Sequence, residues 1–127
     1  MPFVRIAHPI GKPRPYSAAI SQGVHRAMVE TIDVPEDDLF QIVTEHTPET
    51  GLIGPDSFLG IEHTTEMVFV QITFSEGRST DQKKALFAKI ARYICDDTDI
   101  RGEDIFINVI ETKRENWSFG NGLAQFA

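Results

Sequence analysis

The chain has 127 residues, a hydrophobic fraction of 41% and a mean hydropathy of -0.18. These values predict one globular domain that buries about two thirds of its unfolded surface. A net charge of -7 argues against binding to nucleic acid or to an anionic membrane, but not against small anionic substrates. The single Cys95 can form no internal disulfide, and no signal-peptide pattern precedes the first strand, so we expect a cytoplasmic protein.

One segment of the chain occurs twice. Residues 4–45 align with residues 70–111 at a constant offset of 66 residues, and the apolar positions of the predicted helices match as well. Identical residues fall on each other along the whole alignment: Val4 on Val70, Ile6 on Ile72, Gly11 on Gly77, Asp38 on Asp104 and Phe40 on Phe106. We therefore interpret the chain as one structural unit used twice.

The first unit is predicted to form a strand, a helix and a second strand. Residues 3–7 form the first predicted strand, and a helix opens at Pro15 and runs to about residue 32. After a turn over residues 33–38, the second strand covers residues 39–44. A connector over residues 47–65 follows. Its many apolar side chains argue against a disordered linker, and we expect it to pack on the surface of a neighbour.

The second unit repeats this plan. A strand is predicted over residues 66–74, and Ser79 with Gln82 forms a capping box ahead of a helix over residues 80–95. The last strand covers residues 105–110. The chain ends in a tail over residues 113–127, in which Asn121-Gly122 indicates a tight turn. The expected organisation is a single domain, residues 1–127, made of two β-α-β repeats at about 2–46 and 66–112.

Each β-α-β repeat should close by a right-handed crossover, so that its two strands are parallel. Two repeats then give an α+β fold with a four-stranded sheet and both helices on one face. The strands carry apolar residues at adjacent positions, as in residues 68–70 and 105–107, so both faces of the sheet require burial. Since two helices cover one face only, we expect another subunit on the other.

Pro2 directly follows Met1 and heads a strand of this doubled unit. Taken together, these features resemble the tautomerase superfamily, whose members use an N-terminal proline, exposed by removal of the initiator methionine, as catalytic acid or base. Residues 34–41, 77–79 and 117–126 are similar to malonate semialdehyde decarboxylase and its relatives, and the tail headed by Trp117 is the most specific of the three. The resemblance spans nearly the whole chain and implies a homotrimer.

The resemblance assigns catalysis to Pro2, Arg78 and Asp38. A free α-amino group titrates near about 7.7–8.0, close to the pH at which an acid or base works best. Arg78 precedes a helix N-terminus and could hold a substrate carboxylate by a bidentate pair. Asp38 would tune the amine or polarise water, although Asp104 at its repeat position favours a plain role at the strand entry. The decarboxylase pattern has a second arginine where this chain has Glu76, which opposes a second anionic group.

Three aromatic residues match the wall of the family's substrate pocket, namely Trp117, Phe119 and Phe126, and Phe40 could contribute similarly. A dry wall would strengthen the pairing of Arg78 with a carboxylate. The alternative is that the tail residues only fasten the tail, and that Phe40, like Phe106 at its repeat position, belongs to the core.

The histidines and the cysteine show no pattern typical of metal ligands or of a nucleophile. The four histidines (His8, His25, His46, His63) show no metal-ligand spacing, and Cys95 reads as a small buried hydrophobe because Val29 takes its place in the first repeat. We therefore expect no metal and no cofactor. The predicted function is enol–keto tautomerisation of a small keto or enol carboxylate. The alternatives are decarboxylation of malonate semialdehyde or hydration of an acetylenic or halogenated acrylate in the same site, and a non-catalytic trimeric binding module.

Overall fold

The structure, a computed structural model, describes residues 1–127. In chain order its strands and helices are β1 (Pro2–Pro9), α1 (Arg14–Ile32), β2 (Gln41–His46), β3 (Ser57–Phe58), β4 (Ile61–Glu62), β5 (Val68–Ser75), α2 (Thr80–Asp97) and β6 (Ile105–Thr112). Single 3-10 turns lie at Gly102–Asp104 and Arg114–Asn116. Neither α1 nor α2 combines the length and the apolar character that crossing a membrane requires.

The main sheet has the strand order β2-β1-β5-β6. Strands β1 and β2 are parallel, β5 and β6 are parallel, and the two pairs meet where β1 runs antiparallel to β5. Val4 lies opposite Gln41 in the first pair, and Val70 lies opposite Ile107 in the second. Both pairs therefore have the same register, and the predicted doubled β-α-β fold is confirmed.

The hydrophobic core lies between the sheet and the two helices. Along β1 and β5 the pattern of buried and accessible residues is identical, because each strand turns every second side chain toward the helices. Strand residues such as Val4 and Ile72 pack there against Ile20 of α1 and Ile90 of α2, all fully buried. The matching apolar rhythm of the two repeats therefore builds one common core.

The opposite face of the sheet carries no covering layer. Phe69 and Phe106 lie on this face with ring centroids 5.5 Å apart, and Phe106 is 51% exposed. The face also has a polar row that the apolar pattern did not predict. Arg5 pairs across the strands with Gln71, and the side-chain amide of Gln71 donates to Asn108 Oδ1 at 3.1 Å. We call this surface the open face; it is mixed in character rather than uniformly apolar.

Several predicted boundaries need correction. The second strand begins at residue 41 instead of 39: Leu39 and Phe40 follow the turn that Asp38 N–H closes by donating to Pro35 O at 3.0 Å, and Phe40 O accepts a hydrogen bond from Val4 N–H at 3.0 Å. The connector contains the small hairpin β3–β4, whose turn places Leu59 and Gly60 in the left-handed region. The capping box is present, with Gln82 N–H donating to Ser79 Oγ and Ser79 N–H to Gln82 Oε1.

Candidate active site

The N-terminus lies at one end of the central strand pair. Pro2 is buried and faces Phe74 across the β1–β5 pair. A proline suits the first position of a strand because it has no N–H to contribute. The Met1 ammonium lies 2.9 Å from Asp38 Oδ2, and the Ser75 hydroxyl donates to Met1 Sδ at 3.8 Å. The chain start is therefore held between the loop that carries Asp38 and the end of β5.

Asp38 is fixed in its position by the backbone around it. Besides the turn closed by Pro35, the Nε2–H of His25 donates to Glu36 O at 2.8 Å and ties the loop to α1. The carboxylate itself is only 17% exposed, whereas the neighbouring Asp37 is a surface residue. His25 could not be singled out from the sequence, because its contact with the loop forms only in the folded chain.

Arg78 follows Gly77, whose φ of 122° lies in a region that favours glycine. Its guanidinium donates to two backbone oxygens, Ser75 O at 2.9 Å and Ile32 O at 3.2 Å, and lies over the Phe74 ring. Ile32 is the last residue of α1, so the negative end of the helix dipole faces the guanidinium. These carbonyls orient the side chain without cancelling its charge, and three of its five N–H donors stay free for a ligand.

A cleft of about 370 Å³ lies beside the chain start, although Pro2 and Asp38 themselves do not line it. It is lined by Met1, Arg78 and Glu76, and also by Arg114 at the start of the tail. Glu76 is exposed and forms no salt bridge, so its carboxylate remains a negative charge at the edge of the cleft. The structure therefore places the chain start and a charged guanidinium on one small cavity.

The four predicted aromatic residues form one cluster. Phe119 lies at its centre, with ring centroids 5.7 Å from Trp117, 5.4 Å from Phe126 and 5.8 Å from Phe40. The Trp117 indole N–H donates to Thr112 Oγ1 at 2.8 Å and fastens the tail to the end of β6. The predicted tight turn is present, since Asn121 and Gly122 both have positive φ, but no strands flank it.

This aromatic cluster stands beside the cleft and does not line it. Phe40 follows Asp38 closely in the chain, and the Arg114 guanidinium lies over the Phe126 ring at 5.2 Å. Phe40 is 47% exposed and its repeat partner Phe106 is 51% exposed, so the alternative that both belong to the core is wrong. In the isolated chain the cluster forms a partly exposed wall next to the cleft.

The equivalent position in the second repeat is built differently. Met67 and Val68 take the places of Met1 and Pro2, in the interior of the chain. Asp104, which corresponds to Asp38, is buried and accepts hydrogen bonds from Thr64 N–H at 2.8 Å and Thr64 O–H at 2.6 Å. Lys12, which corresponds to Arg78, forms a salt bridge with Glu66 at 3.1 Å. The second end of the sheet therefore has a neutralised cation, a fully bonded carboxylate and no free amine.

The histidines and the cysteine lie away from the cleft. His8 is buried against Ser17, and His46 contacts Thr44 on the open face. Burial raises the pKa of the Cys95 thiol, and the nearby Asp96 and Glu103 raise it further. Cys95 is therefore kept in the unreactive thiol form, although its side chain is only partly buried and the expectation of a fully buried position is wrong.

Comparison with known proteins identifies the family. The sequence models of two families, each described as tautomerase enzyme, match residues 38–120 and residues 2–59. The probable tautomerase YusQ of Bacillus subtilis (strain 168) is 38% identical over 125 residues, with 98% of each chain covered.

Solved structures agree with this assignment. FG41 malonate semialdehyde decarboxylase, solved in a form inhibited by 3-bromopropiolate, superposes with a TM-score of 0.91 at 33% identity, over 98% of this chain and 93% of that chain. A fused 4-OT symmetric trimer shares the fold at 17% identity, with a TM-score of 0.78 over 95% and 94% of the two chains. The chain is thus an enzyme of the tautomerase superfamily.

Proposed function

We propose that the chain catalyses enol–keto tautomerisation of a small keto or enol carboxylate, with the amine of Pro2 as general acid and base. The observation that carries this proposal is the pairing of the chain start with Asp38 at 2.9 Å, next to the cleft that Met1 lines together with the unneutralised Arg78. With Met1 in place the Pro2 nitrogen is a tertiary amide and cannot exchange a proton. Removal of Met1 would turn it into a secondary amine and vacate part of the cleft.

The proposed reaction needs two charges in fixed places. Arg78 binds the substrate carboxylate with its free N–H groups. In the direction from enol to keto, the enol O–H loses its proton to water or to Asp38, the carbonyl forms, and the Pro2 ammonium gives a proton to the adjacent carbon. In the reverse direction, the neutral amine takes that proton and the electron pair passes to the carbonyl oxygen. A positioned amine and a cation suffice for this exchange, so we propose no metal and no cofactor.

Decarboxylation of malonate semialdehyde is the second candidate. It is favoured by the 33% identity to FG41 malonate semialdehyde decarboxylase over nearly the whole chain. In that reaction the bond to the carboxylate breaks, CO₂ leaves, and the resulting enolate takes its proton from the Pro2 ammonium. Glu76 takes the position of the second arginine of the decarboxylase pattern, so the chain lacks that cation at this position, and for this reason we place tautomerisation first.

The state of the N-terminus tests the proposal. Protein with a fixed extension before Pro2 should be inactive, because the nitrogen then remains an amide. Protein whose extension has been cleaved to leave Pro2 first should ketonise phenylenolpyruvate, as followed by ultraviolet absorbance, and intact mass confirms each N-terminus. Equal rates for the two forms would contradict the role of Pro2. If the protein turned over malonate semialdehyde but not phenylenolpyruvate, decarboxylation would replace tautomerisation as the preferred function.

We also propose that the protein is a cytoplasmic homotrimer. The open face exposes Ile42, Phe106 and Ile110, and the connector exposes Leu59 to 84% and Ile53 to 73%. These apolar side chains would lose their contact with water if the open face and connector met neighbouring copies. Light scattering coupled to size-exclusion chromatography should give three times the chain mass of 14.3 kDa. A monomer mass at micromolar concentration would refute the trimer and would show that neither the open face nor the connector binds another copy.

A further inference from the structure

Arg114 borders the same cleft as Arg78, although its place in the sequence gives no hint of this. It opens the 3-10 turn Arg114–Asn116 after β6. The backbone N–H of Glu76 donates to Thr112 O at 2.8 Å and thereby holds the end of β6 against the turn that leads to Arg78. The pairing of β5 with β6 therefore brings two arginines, 36 positions apart in the chain, to one small cavity.

Neither of these two arginines is neutralised by a carboxylate. No salt bridge of the chain involves Arg78 or Arg114, and the same holds for Arg5 and Arg14, whereas Arg26, Arg92 and Arg101 have acidic partners. Arg114 contacts the Phe126 ring, with 5.2 Å between the guanidinium carbon and the ring centroid. An aromatic face orients a guanidinium but leaves the N–H groups at its edge free to donate.

We propose that Arg114 is the second anion-binding residue of the cleft and holds a second anionic oxygen of the substrate, opposite the carboxylate bound by Arg78. This inference rests on the proposed function. Enolisation of a keto acid adds negative charge at the carbonyl oxygen while the carboxylate stays charged, and Glu76 adds a third negative charge nearby. Arg78 and the Pro2 ammonium supply two positive charges, which do not offset all three. The ligand class is a small acid with two anionic oxygen groups, either two carboxylates or a carboxylate and an enolate.

Binding of two unreactive acids tests the first form of this ligand. Calorimetry on protein that begins at Pro2 should show malonate, with two carboxylates, binding more tightly than propionate, with one. Arg114→Gln should weaken malonate binding by at least about tenfold and leave propionate binding unchanged. Lys113→Gln is the matched control, because it removes the same charge from the adjacent exposed residue, and it should leave both affinities unchanged.

Kinetics on phenylenolpyruvate, which has one carboxylate, test the second form. If Arg114 meets the enolate, Arg114→Gln should lower kcat by at least about tenfold with little change in KM, and Arg114→Lys should restore part of the loss. Either effect supports the inference and identifies the second oxygen. An Arg114→Gln protein that equals Lys113→Gln in both measurements overturns it. Thermal melting shows that each variant is folded before the comparison is made.

The two measurements also separate this inference from the proposed function. Malonate binding that depends on Arg114, in a protein that turns over no enol, would refute the proposed function and leave the second anion-binding residue in place. If turnover requires Pro2 but Arg114→Gln changes neither turnover nor malonate binding, the role of Arg114 is refuted and the proposed function stands.

Discussion

Replacing Pro2 by alanine should lower kcat for ketonisation of phenylenolpyruvate by about 10²- to 10⁴-fold, the usual contribution of a positioned general acid or base. Alanine is also small enough to permit removal of Met1, so the variant still begins with a free amine. The ring that fixes the direction of the nitrogen is lost, and the secondary amine becomes a primary one. Since the carboxylate would be bound by Arg78, KM should change much less than kcat.

The control for this variant is Pro13→Ala, which removes a proline from the exposed start of α1. It should retain the rate of the wild type, since Pro13 lies outside the cleft. Intact mass must show that both variants lack Met1 before their rates are compared. A Pro2→Ala enzyme with a rate within about twofold of the wild type would show that the N-terminal amine does not transfer the proton, because a general acid or base contributes far more.

Replacing Arg78 by glutamine should lower kcat/KM by about 10²- to 10⁴-fold for any substrate with a carboxylate. Each charge-assisted hydrogen bond contributes about 1.5–3 kcal/mol, and a bidentate pair has two of them. Arg78→Lys keeps the charge but loses the two-pronged geometry and the simultaneous bonds to Ser75 O and Ile32 O, so it should recover only part of the activity.

The doubled chain supplies a matched control for Arg78. Lys12 occupies the same position in the first repeat and is bound to Glu66 at the other end of the sheet. Lys12→Gln removes the same charge from the same structural position and should leave the kinetics unchanged. If both variants lose activity equally, the effect comes from the net charge or from folding, and the assignment of Arg78 as the carboxylate-binding residue is wrong.

Much of the fold was predictable because the β-α-β unit occurs twice in the chain and its two copies can be aligned. The constant offset between Val4 and Val70 fixed the two units and their equal register, and the capping box at Ser79 fixed the start of α2. Prediction was less accurate where tertiary contacts compete with apolar character. Leu39 and Phe40 suit a strand, but Phe40 turns instead toward Phe119 of the tail, which is far away in the sequence. The polar row on the open face also interrupts a pattern that looked apolar on both sides.

The components of the site differ in how far sequence could reveal them. Pro2, Arg78 and Asp38 came from a family resemblance, and their roles remain predictions. The aromatic residues were selected together by the tail motif, and the structure brings them into one cluster, although beside the cleft. Arg114 was missed because an exposed arginine among polar neighbours carries no signal. Only the register of β5 and β6 places it near Arg78.

Because Met67 lies in the interior of the chain, the second β-α-β repeat has no N-terminus of its own. A proline amine can exist only where a chain begins, so two units fused end to end share one such amine, whereas two separate units would have two. On the proposed mechanism the second half can contribute no N-terminal proline amine, whatever its sequence. Asp104 and Lys12 form only structural bonds, to Thr64 and Glu66. A circular permutant that begins at residue 68, with Val68→Pro, would exchange the halves and move the single amine to the opposite end of the sheet.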